Sequence, residues 1–355
     1  MRVLLAVSGG IDSMYMLHRA PELFPGASFA VAHCNFCLRG EESDGDEAFV
    51  RDACSRLGVE CFVKRFDTLA YAAEHGVSVE MAARELRYAW FDALCSENAF
   101  DTLATAHNAN DNAETLILNL LRGTGTKGLR GIPGGSSVLP DVPSESSLRS
   151  SLPLRSACGP LPLTCPRVDT DSESTSGHHS ATPPEVVRPL LKVSREEIRK
   201  WMESNGKEWR EDRTNAENEV KRNKIRNQVF PVFAEINPSF IRTLGADMDR
   251  IRQTDDIAED YYREAASRIV KEGAGGALEI SVRGLMELKH WRYVLWRILE
   301  DCSFSAETLD KLCTLLERYC TEPSGTVTLS GKRFESSTHV LRARKKQLIL
   351  QIREA

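Results

Sequence analysis

An apolar run, Val3-Leu4-Leu5-Ala6-Val7, leads directly into Ser8-Gly9-Gly10-Ile11-Asp12-Ser13, and nothing else in this chain constrains its fold as strongly. A buried strand that ends in a glycine-rich turn and restarts as a helix is how open α/β sheets build an anion site. Paired glycines let the backbone approach a phosphate, because no Cβ stands in the way. The helix expected from Asp12 to about Arg19, with Met14 and Leu17 facing inward, aims its first amides at that anion. Ser8 and Ser13 add hydroxyl donors, and Asp12 is a carboxylate suited to a Mg²⁺ that bridges phosphates. The residues from Ser8 to Ser13 are therefore the candidate nucleotide-binding turn. The pattern is neither Gly-x-x-x-x-Gly-Lys-Ser/Thr nor Gly-x-Gly-x-x-Gly.

At 355 residues the chain has room for about two domains. No apolar run approaches the roughly 20 residues that span a bilayer. Met1-Arg2 passes straight into a strand without the apolar core of a signal peptide, so a cytoplasmic location is expected. The ten cysteines are scattered, which in that compartment favours free thiols. Cys34-x-x-Cys37 is the one close pair; Cys54, Cys61 and Cys95 are further metal-ligand candidates, but none forms a second pair. The net charge of −5 gives no hint of a nucleic-acid partner, whereas local charge does. Lys221, Arg222, Lys224 and Arg226 form one basic cluster; Lys332, Arg333, Arg342, Arg344, Lys345 and Lys346 form another. Such runs are often plain solvated faces; a polyanion partner is the alternative reading.

The first 130 residues alternate strand and helix signals. Strands are expected at Val3–Val7, Ser28–His33, Glu60–Phe66 and Thr102–Ala106, and helices at Asp12–Ala20, Asp44–Leu57, Val79–Asn98 and Asp111–Arg122. This alternation predicts a Rossmann-like, doubly wound parallel sheet with its ligand at the carboxyl ends of the strands. Ser8, His33 and His107 all stand at such ends. From Pro133 to about Glu185, Ser, Pro and Gly dominate and apolar periodicity vanishes, which predicts a disordered insertion. Order is expected to resume at Val186, with a capped helix from Ser194 to about Asn205. The expected organisation is a catalytic α/β domain over 1–217, a smaller α-helical domain over 218–324 and short strands over 325–355.

Further segments accompany the turn. They are Ala32-His33-Cys34-Asn35-Phe36-Cys37-Leu38-Arg39-Gly40, Glu80 to Tyr88 with Arg84 and Arg87, and His107-Asn108-Ala109-Asn110-Asp111-Asn112-Ala113-Glu114-Thr115, continuing to Arg122-Gly123. After them come Arg188-Pro189-Leu190-Leu191, Asp212-Arg213-Thr214-Asn215 and Arg222-Asn223-x-Ile225-Arg226. The turn resembles the loop of the PP-loop ATP pyrophosphatases, which cleave ATP between its α and β phosphates. The set in this order, over residues 3 to about 230, resembles the tRNA(Ile)-lysidine synthases. That resemblance implies ATP-dependent ligation of free L-lysine to C2 of the wobble cytidine of a CAU-anticodon tRNA(Ile), through an adenylated tRNA, with Mg²⁺.

It also implies roles. Ser8, Gly9, Gly10, Ile11, Asp12 and Ser13 would cradle the β,γ phosphates and Mg²⁺, and His33 and His107 would line the nucleotide pocket. Asp111 and Glu114, three apart on one helix face, would hold a second metal position or the lysine ammonium. Arg87, or else Arg84, would neutralise the α-phosphate. Arg39 and Arg122 would lie near phosphates or RNA, and Lys221, Arg222, Lys224 and Arg226 would meet tRNA phosphates. Each has a plainer reading as a solvated helix face, a surface ion pair or a polar filler at a strand end.

The chain departs from the family pattern in places. Single histidines followed by Cys34 and Asn108 stand where many members pair histidines, and Asn110-Asp111 replaces two aspartates. Ala355 falls roughly where an extra C-terminal tRNA-gripping domain would begin, so a short form or a truncated piece is expected. The oligomeric state is left open, a homodimer being one option. The competing functions are a cytidine thiolase using the Cys34-x-x-Cys37 pair, a non-catalytic nucleotide-binding module, and a ligase for a small metabolite. Deleting Ser136–Thr182 is expected to leave the ligation rate within several-fold in a lysine-incorporation assay.

Overall fold

The computed structural model describes residues 1–134, 184–211, 221–322, 326–344 and 346–353. The insertion expected over 133–185 and the Asp212-Arg213-Thr214-Asn215 segment therefore lie wholly or almost wholly outside the described residues. The chain divides into two compact units, Met1–Met248 and Asp249–Ala355.

In the first unit, β1 (Arg2–Ala6), α1 (Ile11–Leu23), β2 (Ser28–Asn35), α2 (Glu41–Leu57), β3 (Cys61–Arg65), α3 (Thr68–His75), α4 (Val79–Asn98) and β4 (Thr102–Thr105) alternate as expected. Then follow α5 (Ala109–Arg122), α6 (Thr126–Leu129), β5 (Glu185–Val187) and α7 (Arg195–Ser204). The five strands form a parallel sheet in the order β3-β2-β1-β4-β5. The winding reverses between β1 and β4, the switch point where such sheets open a crevice at their carboxyl ends.

Strand alternation sends Val3, Leu5, Val31, Ala104 and Val187 to one face, where they pack with Met14, Leu17 and Ala20 of α1 and Ile198 and Met202 of α7. Leu4, Ala30, Ala32 and Leu103 go to the other face, against Phe91, Leu94 and Cys95 of α4. Helix α3 has no counterpart among the expected elements. Its Leu-Ala-Tyr-Ala-Ala core is too short for a periodic stripe, yet it carries ordinary end signals: Asp67 caps its N-terminus and left-handed Gly76 ends it.

The unit continues through α8 (Lys221–Lys224), a π-helical turn (Ile225–Val229), α9 (Phe230–Ile236) and the start of α10 (Phe240–Ile269). Ile225, Phe230, Phe233, Phe240, Ile241 and Leu244 pack on Ala113, Ile117 and Leu118 of α5. This packing brings residues from beyond position 220 onto the helix that carries Asp111 and Glu114.

The second unit differs from the expected helical domain plus separate tail. Beyond α10 come β6 (Val270–Glu272), β7 (Leu278–Ser281), α11 (Val282–Met286), α12 (Trp291–Leu299), α13 (Ala306–Thr321), β8 (Arg333–Glu335), β9 (His339–Arg344) and β10 (Gln347–Ile352). The antiparallel sheet runs β6-β7-β10-β9-β8, so strands on either side of position 325 share one sheet and one core with Val294, Leu295, Leu312 and Leu316. Strands β6 and β7 span three and four residues, too few for alternation to reveal them. Among the described residues no helix is long and apolar enough to cross a membrane.

Gly131 locks the segment after α6 against α5 and α10. Its φ is +72°, and a Cβ there would meet Asn112 Oδ1 at 2.2 Å and Met248 Sδ at 2.5 Å, while the Asn112 side chain accepts the Ile132 amide at 2.7 Å. Gly131→Ala should cost about 2–4 kcal/mol in chemical denaturation. Gly26→Ala, at a similar φ but facing open space, should cost only about 1 kcal/mol.

Candidate active site

Strand β1 delivers the turn and α1 receives it. Gly9 adopts φ +94°, and its carbonyl accepts the Arg210 amide at 2.9 Å. Gly10 is the N-cap residue of α1 and offers no side chain, so the first-turn amides of Ile11, Asp12 and Ser13 lack a side-chain cap. An uncapped helix start at a strand end is a prepared anion site. Ser8 and Ser13 are tied together: Ser13 Oγ accepts the Ser8 amide at 3.1 Å and donates to the Gly10 carbonyl at 2.9 Å, with the two hydroxyls 3.3 Å apart. These bonds pre-set the turn.

Helix α5 opens beside it. Asn108 caps α5 by accepting the Asn110 and Asp111 amides, and Asp111 Oδ2 accepts the Asn108 amide at 3.1 Å. The cap aims Asp111 back at Asp12. Burial, and then the nearby Asp111 charge, hold the Asp12 carboxyl above the ordinary range. The Asn108 side chain lies close enough to the Asp12 carboxyl to favour its charged form, although Asp12 Oδ1 and Asn108 Nδ2, both buried, do not meet in full hydrogen-bond geometry. That incomplete contact leaves a buried carboxylate oxygen at the crevice that a cation or ligand would satisfy. Asp12 and Asp111 supply two carboxylates, and among the described residues no group of three metal-ligating side chains forms. A cation here would complete its shell from phosphate and water oxygens, as Mg²⁺ commonly does.

Glu114 is fully buried. Its Oε1 accepts Arg226 Nε at 2.7 Å, and its Oε2 has no partner. Burial pushes its pKa up, opposed by the Arg226 guanidinium. Arg226 also reaches Asp111 Oδ1 at 3.4 Å. This departs from both readings of Arg226, a tRNA-phosphate contact or a solvated basic face, because the π-helical turn buries Ile225 on α5 and carries Arg226 inward with it. Arg222 stays exposed and donates to Thr115 Oγ1 at 3.2 Å, and Lys221 and Lys224 are exposed as expected. Arg122 is exposed at the end of α5.

The remaining candidates flank this centre. His33 braces the turn from beneath, its Nδ1 hydrogen-bonded to the Val7 carbonyl at 2.9 Å, and burial keeps it below the ordinary histidine range. His107 bonds Thr105 Oγ1 at 3.0 Å, and burial likewise lowers its pKa; Asp111 opposes the shift, and Arg188, Arg222 and Arg87 reinforce it. Arg87 also lies over the Phe36 ring at 5.2 Å, whereas Arg84 turns to Tyr88 at 4.9 Å. Of the two arginines, Arg87 is the one near the crevice. Arg39 pairs with Asp46 at 2.9 Å, and Asp46 also takes Arg210 at 2.9 Å, beside Gly9.

Arg188, Arg195, Arg210 and Asn108 had no assigned role in the sequence reading, although their neighbours did. Only the register of β5 on β4 and the caps of α5 and α7 reveal them. Cys34 and Cys37 do not form a ligand pair. Cys34 packs among the α4-side core, where burial pushes its thiol up to about 12, whereas Cys37 is exposed at φ +53°.

The chain matches the PP-loop domain family over residues 1–233 and the TilS substrate binding domain family over residues 273–353. A tRNA(Ile)-lysidine synthase of Chlorobaculum tepidum is 35% identical over 89% of this chain and 83% of its own length. Those of Parabacteroides distasonis and Porphyromonas gingivalis are 34% and 33% identical over 96% and 99% of this chain. The chain spans 63% of the length of each of these two.

A raised Asp12 pKa has a definite consequence. The native state keeps that proton to a higher pH than the unfolded chain does. Stability from this group therefore falls as pH rises from the ordinary aspartate range through the raised value. Asp12→Asn should melt a few degrees above wild type at neutral pH. The gap should close below the ordinary aspartate range, as thermal unfolding across pH would record.

Proposed function

Because this chain belongs to the tRNA(Ile)-lysidine synthase family, we propose that it joins free L-lysine to C2 of the wobble cytidine of a CAU-anticodon tRNA(Ile), consuming ATP. In the first half, the cytidine O2 attacks the α-phosphorus and pyrophosphate leaves. In the second, the lysine ε-amine attacks C2 and AMP leaves with the oxygen. Neither half needs a protein nucleophile, so catalysis is positioning and charge stabilisation. Substrates of this kind put the work in the cytoplasm.

The observation that carries the site assignment is the uncapped start of α1, with the orphaned Asp12 Oδ1 beside it. The Ile11, Asp12 and Ser13 amides with the Ser8 hydroxyl would hold the β,γ phosphates, the Ser13 hydroxyl fixing the turn through Gly10. Asp12 and Asp111 would hold Mg²⁺, which when bound neutralises phosphate charge. The free Oε2 of Glu114, with Asp111, suits the ammonium of the incoming lysine. Arg87 suits the α-phosphate, and the exposed Arg122, Lys221, Arg222 and Lys224 suit tRNA phosphates. A half-buried Cys34 whose thiol is pushed up and an exposed Cys37, with no third metal-ligating side chain gathered near them among the described residues, disfavour a cluster-dependent thiolase.

Incubation with ATP, Mg²⁺, radiolabelled lysine and a CAU-anticodon tRNA(Ile) transcript should leave stable label on the RNA. Asp12→Ala should leave none. Glu114→Gln should raise the KM for lysine at least tenfold, with a smaller change for ATP. Unlabelled RNA alongside an active control enzyme would reject the proposal.

A further inference from the structure

Three arginines, Arg87, Arg188 and Arg222, act electrostatically on His107, and among the described residues none of them forms an ion pair with a carboxylate. Three positive charges around a partly buried ring, opposed there by the single carboxylate of Asp111, make an environment suited to an anion. Of the three, Arg188 is the one with a buried, unpartnered donor. It follows directly on β5, whose Val187 pairs with Ala104 of β4, so it stands beside Thr105 at the carboxyl edge of the sheet. Val186 packs on the α4 side of the sheet and Val187 on the α1 side, and Leu103 and Ala104 divide in the same way. Alternation thus directs Arg188 and Thr105 to the α4 side, where Arg87 is carried.

The guanidinium is held from one end. Its Nη1 donates to the Pro133 carbonyl at 2.6 Å, and the Arg188 amide donates to the Gly134 carbonyl at 3.3 Å. Its Nε–H is buried and has no acceptor. A fork fixed at one nitrogen, with another donor buried and unsatisfied, is poised for a tetrahedral oxyanion.

We propose that Arg188 is a phosphate ligand that acts with Arg87 on the α-phosphoryl group of the bound nucleotide, apart from the α1 amides that take the outer phosphates. This rests on the nucleotide reading above, but not on lysine transfer. The distinguishing probes are AMP, adenosine, inorganic pyrophosphate and an anticodon stem-loop RNA, each titrated by calorimetry against the full chain. Wild type should bind AMP more tightly than adenosine. Arg188→Gln should shrink that preference about tenfold or more, leaving adenosine, pyrophosphate and stem-loop affinities within twofold. Should the glutamine variant fail to fold, Arg188→Lys keeps a cation within reach of Pro133 and loses the fork; its AMP preference should fall in the same direction. An unchanged AMP preference in the folded variant would overturn the proposal. So would a loss confined to the RNA, which would make Arg188 a backbone-phosphate contact. Wild type that binds none of the nucleotide probes would overturn the nucleotide reading itself.

Discussion

Three carboxylates, Asp12, Asp111 and Glu114, gather where two helices begin, and guanidinium charge offsets their repulsion, Arg226 by pairing with Asp111 and Glu114 and Arg195 by its charge on Asp12. Most of the site's design follows from that constraint. Helix N-termini favour negative charge, which lowers the cost of putting the acids there. Burial works against it, and Arg226 forms ion pairs with only two of the three, Glu114 and Asp111, its charge reaching Asp12 more weakly. Asp12 is left with an unpartnered oxygen, and Glu114 with another. The free protein is thus under-neutralised at the points where a cationic substrate group and a metal ion would enter. Removing Arg226 would leave a buried charge uncompensated, the costly way to break a buried pair.

The departures from the family pattern acquire physical roles. Asn110, standing where a second aspartate was looked for, accepts the Arg195 amide at 3.0 Å and so ties the start of α5 to the start of α7. A carboxylate would make the same bond, yet it would add a fourth negative charge to an already crowded corner. Asn108, standing where a second histidine was looked for, caps α5 and sets the direction of Asp111. Its short side chain reaches its own helix amides, which an imidazole does less readily.

The parallel sheet's first four strands and the turn at Ser8–Ser13 were legible in the sequence because they rest on local patterns: apolar runs, glycine pairs and helix periodicity; the order of the strands is a tertiary fact. Asp111 and Glu114 were legible as a pair because helical spacing alone puts them on one face. Arg226 was not. Its charge grouped it with Lys221, Arg222 and Lys224, and only the packing of Ile225 and Phe230 on α5 turns it inward. Arg188 was hidden for the same reason, since β5 is three residues long and its register on β4 is a tertiary fact. Strands β6 and β7 disappeared into a helical stretch because both are very short, and β7 is fixed in the sheet by β10, about 70 residues further on, while β6 pairs only with β7.

The central claim is that the turn between β1 and α1 grips the outer phosphates so that the inner phosphorus is the one attacked. Following α-labelled ATP through a reaction with lysine and the CAU-anticodon transcript tests this most directly. The label should appear as AMP, matched mole for mole by pyrophosphate and by lysine on the RNA. Label recovered as ADP with inorganic phosphate, or no nucleotide turnover with every substrate present, would contradict the account.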